Sequence, residues 1–127
     1  MEICLDTDVI IEILRNKDRT ISWLSEHLSD VFYITQITIF ELYKGAYRRK
    51  NTKELALLQQ FLSQISVLPL TNDISLTAGI ESAKLELQGF TVDYRDMLIG
   101  ICAREHGVFL KTYNSKDFVR ISEFKLL

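Results

Sequence analysis

Three observations predict an α/β protein, built as three α/β/α layers around a central mostly parallel sheet of four to five strands. Ile3-Cys4-Leu5 is a short apolar run of the buried-strand kind, and comparable runs recur along the chain. Longer stretches between them carry apolar residues at helical spacing. No two-residue turn joins neighbouring runs, and strands separated by helices pair in parallel under helices on both faces. With 127 residues the chain is long enough for one real core, so residues 1–127 are taken as a single domain.

The elements follow in order. Residues 2–5 read as the first strand, and helical patterning covers 8–15 and 19–28. Val31-Phe32-Tyr33-Ile34 crowds aromatic and β-branched residues into a second strand. Helices fit 36–49 and 53–65, the latter with Leu55, Leu58, Phe61, Leu62 and Ile65 on one face. A third strand spans 67–70. Asn72 or Asp73 is placed to cap a helix running to Gln88 and stopped by Gly89. The helix over 94–106 ends at Gly107, residues 108–111 form a fourth strand, and 121–126 supplies a fifth.

Composition narrows the function classes. A hydrophobic fraction of 47% with 25% charged residues belongs to a folded globular chain. The net charge of −2 gives no bulk attraction to nucleic acid, so a polyanionic substrate needs a local basic patch or a bridging cation. Cys4 and Cys102 lack metal-ligand spacing and read as buried thiols of a reducing compartment. No apolar stretch reaches the length of a membrane span, and Glu2 and Asp6 interrupt a signal peptide, so a cytoplasmic location is expected.

The informative residues are acids. Asp6 ends the first strand, and Asp8 lies two residues on. Glu41 lies in the early turns of the helix after strand two. Asp96 opens the helix that feeds strand four, and Asn114 and Asp117 follow that strand. All five positions, Asp6, Glu41, Asp96, Asn114 and Asp117, fall near the C-terminal edge of a parallel sheet, where open α/β folds place their sites.

Singly, each acid has a structural reading. Asp6 and Asp93 are candidate helix caps, and Thr38-Ile39-Phe40-Glu41 fits a capping box, although Thr35 is the better helix start. Together, carboxylates on one edge repel by several kcal/mol unless a cation neutralises them. An all-oxygen set suits Mg²⁺ or Mn²⁺; His27 and His106 have no zinc spacing. The basic residues Lys44, Arg48, Arg49, Lys50 and Lys53 begin just beyond Glu41, with Tyr43 and Tyr47 among them. They are either a solvated helix end favoured by the dipole or a phosphate track beside the acids, in which Lys44, Arg48 and Arg49 are the phosphate contacts.

Four strings resemble the PIN-domain family, and in particular its VapC-like toxin ribonucleases. Leu5-Asp6-Thr7-Asp8-Val9 looks like the opening LDTN-V motif. The stretch from Thr38 to Ala46 looks like T-x-x-E-L-x-x-G-A, Asp96 to Ala103 parallels D-x-L-I-A-A-x-A, and Thr112 to Phe118 parallels T-x-[DN]-x-x-[DE]-F. The resemblance covers nearly the whole chain. It implies a PIN-like fold and Mg²⁺- or Mn²⁺-dependent endoribonuclease activity, with Asp6 and Asp96 as ligands. Glu41 binds through water or acts as base, and Asn114 or Asp117 orients the water. It also implies an RNA substrate, a homodimer and a cognate antitoxin protein.

Two departures stand out: Asp8 replaces the usual asparagine, adding charge, and Asn114 stands where many members carry a fourth aspartate. Three alternatives remain at this point. One is a PIN-domain RNA-processing nuclease outside a toxin–antitoxin module, and another is a PIN-like domain that binds RNA or a partner without cutting. The third is a haloacid-dehalogenase-type phosphatase, whose D-x-D opening Asp6-Thr7-Asp8 also resembles, with Lys84 and Asp93 or Asp96 in supporting roles.

Overall fold

The computed structural model describes residues 1–123 and 125–127. Its sheet consists of β1 (Glu2–Leu5), β2 (Val31–Thr35), β3 (Ser66–Leu68) and β4 (Phe109–Lys111), in the order β3-β2-β1-β4 with every neighbouring pair parallel. Helices α1 (Thr7–Leu14) and α2 (Asp18–Ser25) link β1 to β2. Helices α3 (Gln36–Arg48) and α4 (Thr52–Leu62) link β2 to β3, and α5 (Asn72–Leu87) and α6 (Tyr94–Glu105) link β3 to β4.

Side-chain alternation along β1 defines the three layers. Ile3 and Leu5 enter a core with Val9, Ile10, Leu42 and Leu58 from α1, α3 and α4. Cys4, between them, points the other way, into a core with Ile74, Met97, Ile101 and Phe118. Both cysteines are buried free thiols, as expected, and burial pushes both pKa values up, that of Cys102 to about 11.

Local chemistry sets the element ends. Asp6, Thr35, Asn51, Thr71 and Asp93 cap α1, α3, α4, α5 and α6 with side-chain oxygens. Thr71 takes the role expected of Asn72 or Asp73, accepting the Ile74 N–H at 3.2 Å. Gly89 and Gly107 follow α5 and α6 at φ +88° and +70°, the left-handed conformation that ends a helix. β3 stops at Leu68 rather than Leu70 because Pro69 has no N–H to give the ladder. The fifth strand expected over 121–126 does not form among the described residues, and Phe124 lies outside them. Leu126 makes only an isolated parallel bridge to Leu110, and Glu123 turns the segment at φ +56°.

The segment after β4 packs tightly on α6. A Cβ built on Gly100 would lie 2.5 Å from Ile121 Cδ1 and 3.3 Å from Phe118 Cδ1. Gly100→Val is expected to destabilise the fold by roughly 1–3 kcal/mol through overpacking, read as a lower thermal midpoint. A midpoint equal to wild type would show that this contact does not close.

Candidate active site

β1 lies between β2 and β4, and the chain visits β2 and β3 on one side before returning to β4 on the other. The crevice beyond the strand tips at such a reversal is the natural site of an open α/β sheet. Asp6 stands in it. Its N–H donates to the Lys111 carbonyl at 3.0 Å, which fixes the tip of β1 against β4. Its Oδ1 accepts the Thr7 N–H at 2.8 Å and its Oδ2 accepts the Thr112 hydroxyl at 2.8 Å. Asp6 is therefore both a helix cap and a buried carboxylate, only 6% exposed. Burial, then the neighbouring Asp8 charge, pushes its pKa up to about 7; the Thr112 and Thr7 hydrogen bonds oppose the rise and Asp96 adds to it.

Asp96, in the first turn of α6, is the meeting point of the other acids. Burial, then Asp117, Asp93 and Glu41, raise its pKa to about 6, against the Arg95 guanidinium. Glu41 lies in the second turn of α3, where Oε1 accepts the Thr7 hydroxyl at 2.8 Å and Oε2 is 3.9 Å from Arg95 Nη1. The capping-box alternative fails, because Thr35 caps α3 by accepting the Thr38 N–H at 3.2 Å. The Thr38 hydroxyl instead sits 3.3 Å from that of Thr7, behind the Glu41 contact.

The other acids and polar groups divide cleanly. Asp93 caps α6 and holds the Arg95 guanidinium at 2.9 and 3.0 Å, so its pKa falls to about 2. Asn114 turns its amide to Asp8, donating to Oδ2 at 3.0 Å, and the Tyr113 N–H donates to the same oxygen at 3.0 Å. Asp8 thus tethers the chain after β4 while its charge bears on Asp6. Asp117, in the 3-10 turn Ser115–Asp117, is the foremost charged neighbour of Asp96.

Lys44 and Arg48 line a concavity with Thr7, Glu41 and Arg95; Arg49 lines it too, but its guanidinium is paired with Glu54. His27 follows α2 and pairs with Asp30, and His106 ends α6 facing the Pro69 carbonyl, so both are helix-end residues.

Among the described residues no three carboxylate, imidazole or thiolate groups close on one point. The acids are neighbours held slightly apart, and Asp6, Asp8 and Glu41 are fixed by donors from the chain. The donor set is all oxygen, and two members are raised toward neutrality by burial and mutual repulsion. That chemistry fits a hard divalent cation, which removes the repulsion and accepts lone pairs the hydrogen bonds leave open.

The model of the PIN domain matches residues 3–123. The chain belongs to the PIN-domain family. This PIN domain is 34% identical to Ribonuclease VapC1 of Rickettsia felis, in an alignment spanning 100% of this chain and 96% of the relative. It is 28% identical to the tRNA(fMet)-specific endonuclease VapC of Shigella flexneri, over 95% and 92% of the two chains. The structure of VapBC-1 from nontypeable Haemophilus influenzae superposes with a TM-score of 0.86 at 27% identity, covering 100% of this chain and 97% of that one. This membership leaves the phosphatase reading of Asp6-Thr7-Asp8 without support.

Sequence reasoning passed over the hydroxyls of Thr7, Thr38 and Thr112 and the Arg95 guanidinium. The signal was present, since Thr7 and Thr112 sit inside the motif strings and Arg95 separates Asp93 from Asp96. A pH dependence follows. Between about pH 4 and pH 7 the folded chain holds more protons on Asp6 and Asp96 than the unfolded chain, so its stability falls as pH rises. At about 1.4 kcal/mol per pH unit, the effect of Asp6 amounts to a few kcal/mol. Thermal unfolding without divalent ions should show this decline, and Asp6→Asn should flatten it. A wild-type midpoint rising across that window would contradict the burial argument.

Proposed function

We propose that this PIN domain is a divalent-metal-dependent endoribonuclease and the toxin of a toxin–antitoxin pair. The observation that carries the chemistry is the buried Asp6 carboxylate beside Asp96, both raised in pKa and both on the edge where family members keep their acids. The ribonuclease names of relatives that align along nearly the whole chain support the substrate.

In this reading Asp6 and Asp96 hold Mg²⁺ or Mn²⁺. When bound, the ion lowers the pKa of water and stabilises charge on the phosphate. Thr112 and the Thr7 N–H keep the Asp6 oxygens aimed into the crevice. With Glu41 Oε1 taken by Thr7, Oε2 is the oxygen left to bind through water or to take the proton of the attacking water. Asp117 orients that water in preference to Asn114, whose amide is committed to Asp8. Lys44 and Arg48 lead the RNA backbone toward the acids.

The antitoxin of this reading is a protein partner. The apolar groove of Ile11, Leu14, Leu42 and Leu57, rimmed by Arg15 and Lys53, suits a peptide with apolar and acidic residues. A homodimer and a cytoplasmic location complete the proposal. Exposed Leu76, Ile80 and Leu87 along α5 favour the first, and no helix among the described residues is long and apolar enough to cross a membrane.

Two tests follow. Mn²⁺ at about a hundred times its Kd should stabilise the folded chain by about 2.7 kcal/mol. Asp6→Asn should lose this effect together with RNA cleavage. Asp96→Ser should abolish cleavage, while Asp93→Ser keeps most of it, since serine also caps a helix. Metal-independent cleavage, or equal damage from both serine variants, contradicts the assignment.

The second test separates the basic residues. Lys44→Gln and Arg48→Gln should each lower the slope of log K against log salt for single-stranded RNA by about 0.7. Arg49→Gln, which releases Glu54, should change it less; an equal loss at all three would place Arg49 on the RNA.

A further inference from the structure

The ribonuclease reading leaves a second cationic group unused. Beyond β4, Lys116 and Arg120 line a concavity together with Asp93, Asp96 and Asp117. The Lys44 and Arg48 concavity is a separate one, and the Arg95–Asp93 ion pair joins the two: Arg95 lines that one, and Asp93 lines this one. Each hollow thus brings cations beside the acids: Lys44 and Arg48 beside Glu41, and Lys116 and Arg120 among Asp93, Asp96 and Asp117.

Neither Lys116 nor Arg120 is occupied by a structural ion pair. Among the described residues, no salt bridge involves either side chain, whereas Arg49, Arg95 and Arg104 are each tied to carboxylates. The Arg120 guanidinium lies 3.7 Å above the centre of the Phe90 ring, which is 38% exposed in the loop between α5 and α6. A guanidinium over a ring still offers its planar N–H fork to phosphate oxygens, and guanidinium planes stack with bases. Phe90 thereby pre-orders a long side chain whose freedom would otherwise weaken each contact.

We propose that Lys116 and Arg120, with Phe90 beneath Arg120, form a second subsite for single-stranded RNA, which binds the backbone on the far side of the acids from Lys44 and Arg48. The strand crosses Asp96 held on both flanks, so the phosphate between the two hollows is the one presented for cleavage. Substrate placement depends on both groups.

The test is the binding of a fluorescently labelled single-stranded RNA to the full chain in EDTA, between low and moderate salt. Lys116→Gln and Arg120→Gln should each weaken binding and reduce the log–log salt slope by about 0.7. Arg120→Lys should restore the slope but not the full affinity. Phe90→Ala should lower affinity with the slope kept, since it removes order and not charge. Unfolding midpoints near wild type establish that each variant is folded, and Arg120→Lys and Lys116→Gln carry the test should Arg120→Gln unfold. Wild-type binding that is salt-dependent, with an unchanged slope in the Lys116→Gln and Arg120→Gln variants, overturns the subsite and leaves the ribonuclease reading standing. A wild-type chain with no affinity for RNA overturns both.

Discussion

The tip of β1 is enclosed on both sides, because the sheet order reverses next to it, and a carboxylate placed there has nowhere to meet bulk water. Asp6 occupies that position, with Asp8 and Asp96 close enough to act on its charge. Burial first, and then the Asp8 charge, raise its pKa to about 7. The fold thus maintains an electrostatic stress at its most buried acid. The surroundings of the crevice consist of groups that hold the acids in position without cancelling that stress.

Neutral donors do this holding, N–H groups at Asp6 and Asp8 and hydroxyls at Asp6 and Glu41. Thr112 reaches Asp6 from β4, and Thr7 reaches Glu41 from the start of α1, with Thr38 behind it. Neutral donors fix a carboxylate's direction while leaving its charge intact, whereas an arginine or lysine would neutralise it. The guanidinium of Arg95 is turned mainly to Asp93 and stands 3.9 Å from Glu41. Asp93 consequently behaves as an ordinary capping acid with a lowered pKa, and Asp96, three residues away, has a raised one. Two aspartates at the start of one helix thereby shift in opposite directions.

The layered fold was legible in the chain because its signals are local. Gly89 and Gly107 stop their helices, Thr35 and Asp93 start theirs, and the strand runs stand clear of the helical pattern. Errors arose where a neighbour decided the outcome. Thr71 won the cap of α5 from two better-ranked residues, Pro69 cut β3 short, and the turn at Glu123 prevented a fifth strand. In the crevice, residue type and position pointed to Asp6, Glu41 and Asp96. The sequence left Asn114 and Asp117 as equals. Only the contact of Asn114 with Asp8, across more than a hundred residues, separates them. Lys116 fills an unspecified position of the string from Thr112 to Phe118 and Arg120 follows it, so neither stood out until the fold brought both beside Asp96.

The central claim is that the Asp6 and Asp96 carboxylates form a divalent-cation site that the fold keeps under charge stress. A crystal structure of the chain grown with Mn²⁺, with the ion located by its anomalous scattering, tests this most directly. The account predicts one Mn²⁺ within coordination distance of both Asp6 and Asp96, with Glu41 and Asp117 reaching it directly or through water. An ion found only on exposed acids such as Asp93, or a crevice free of anomalous signal at saturating Mn²⁺, would contradict it.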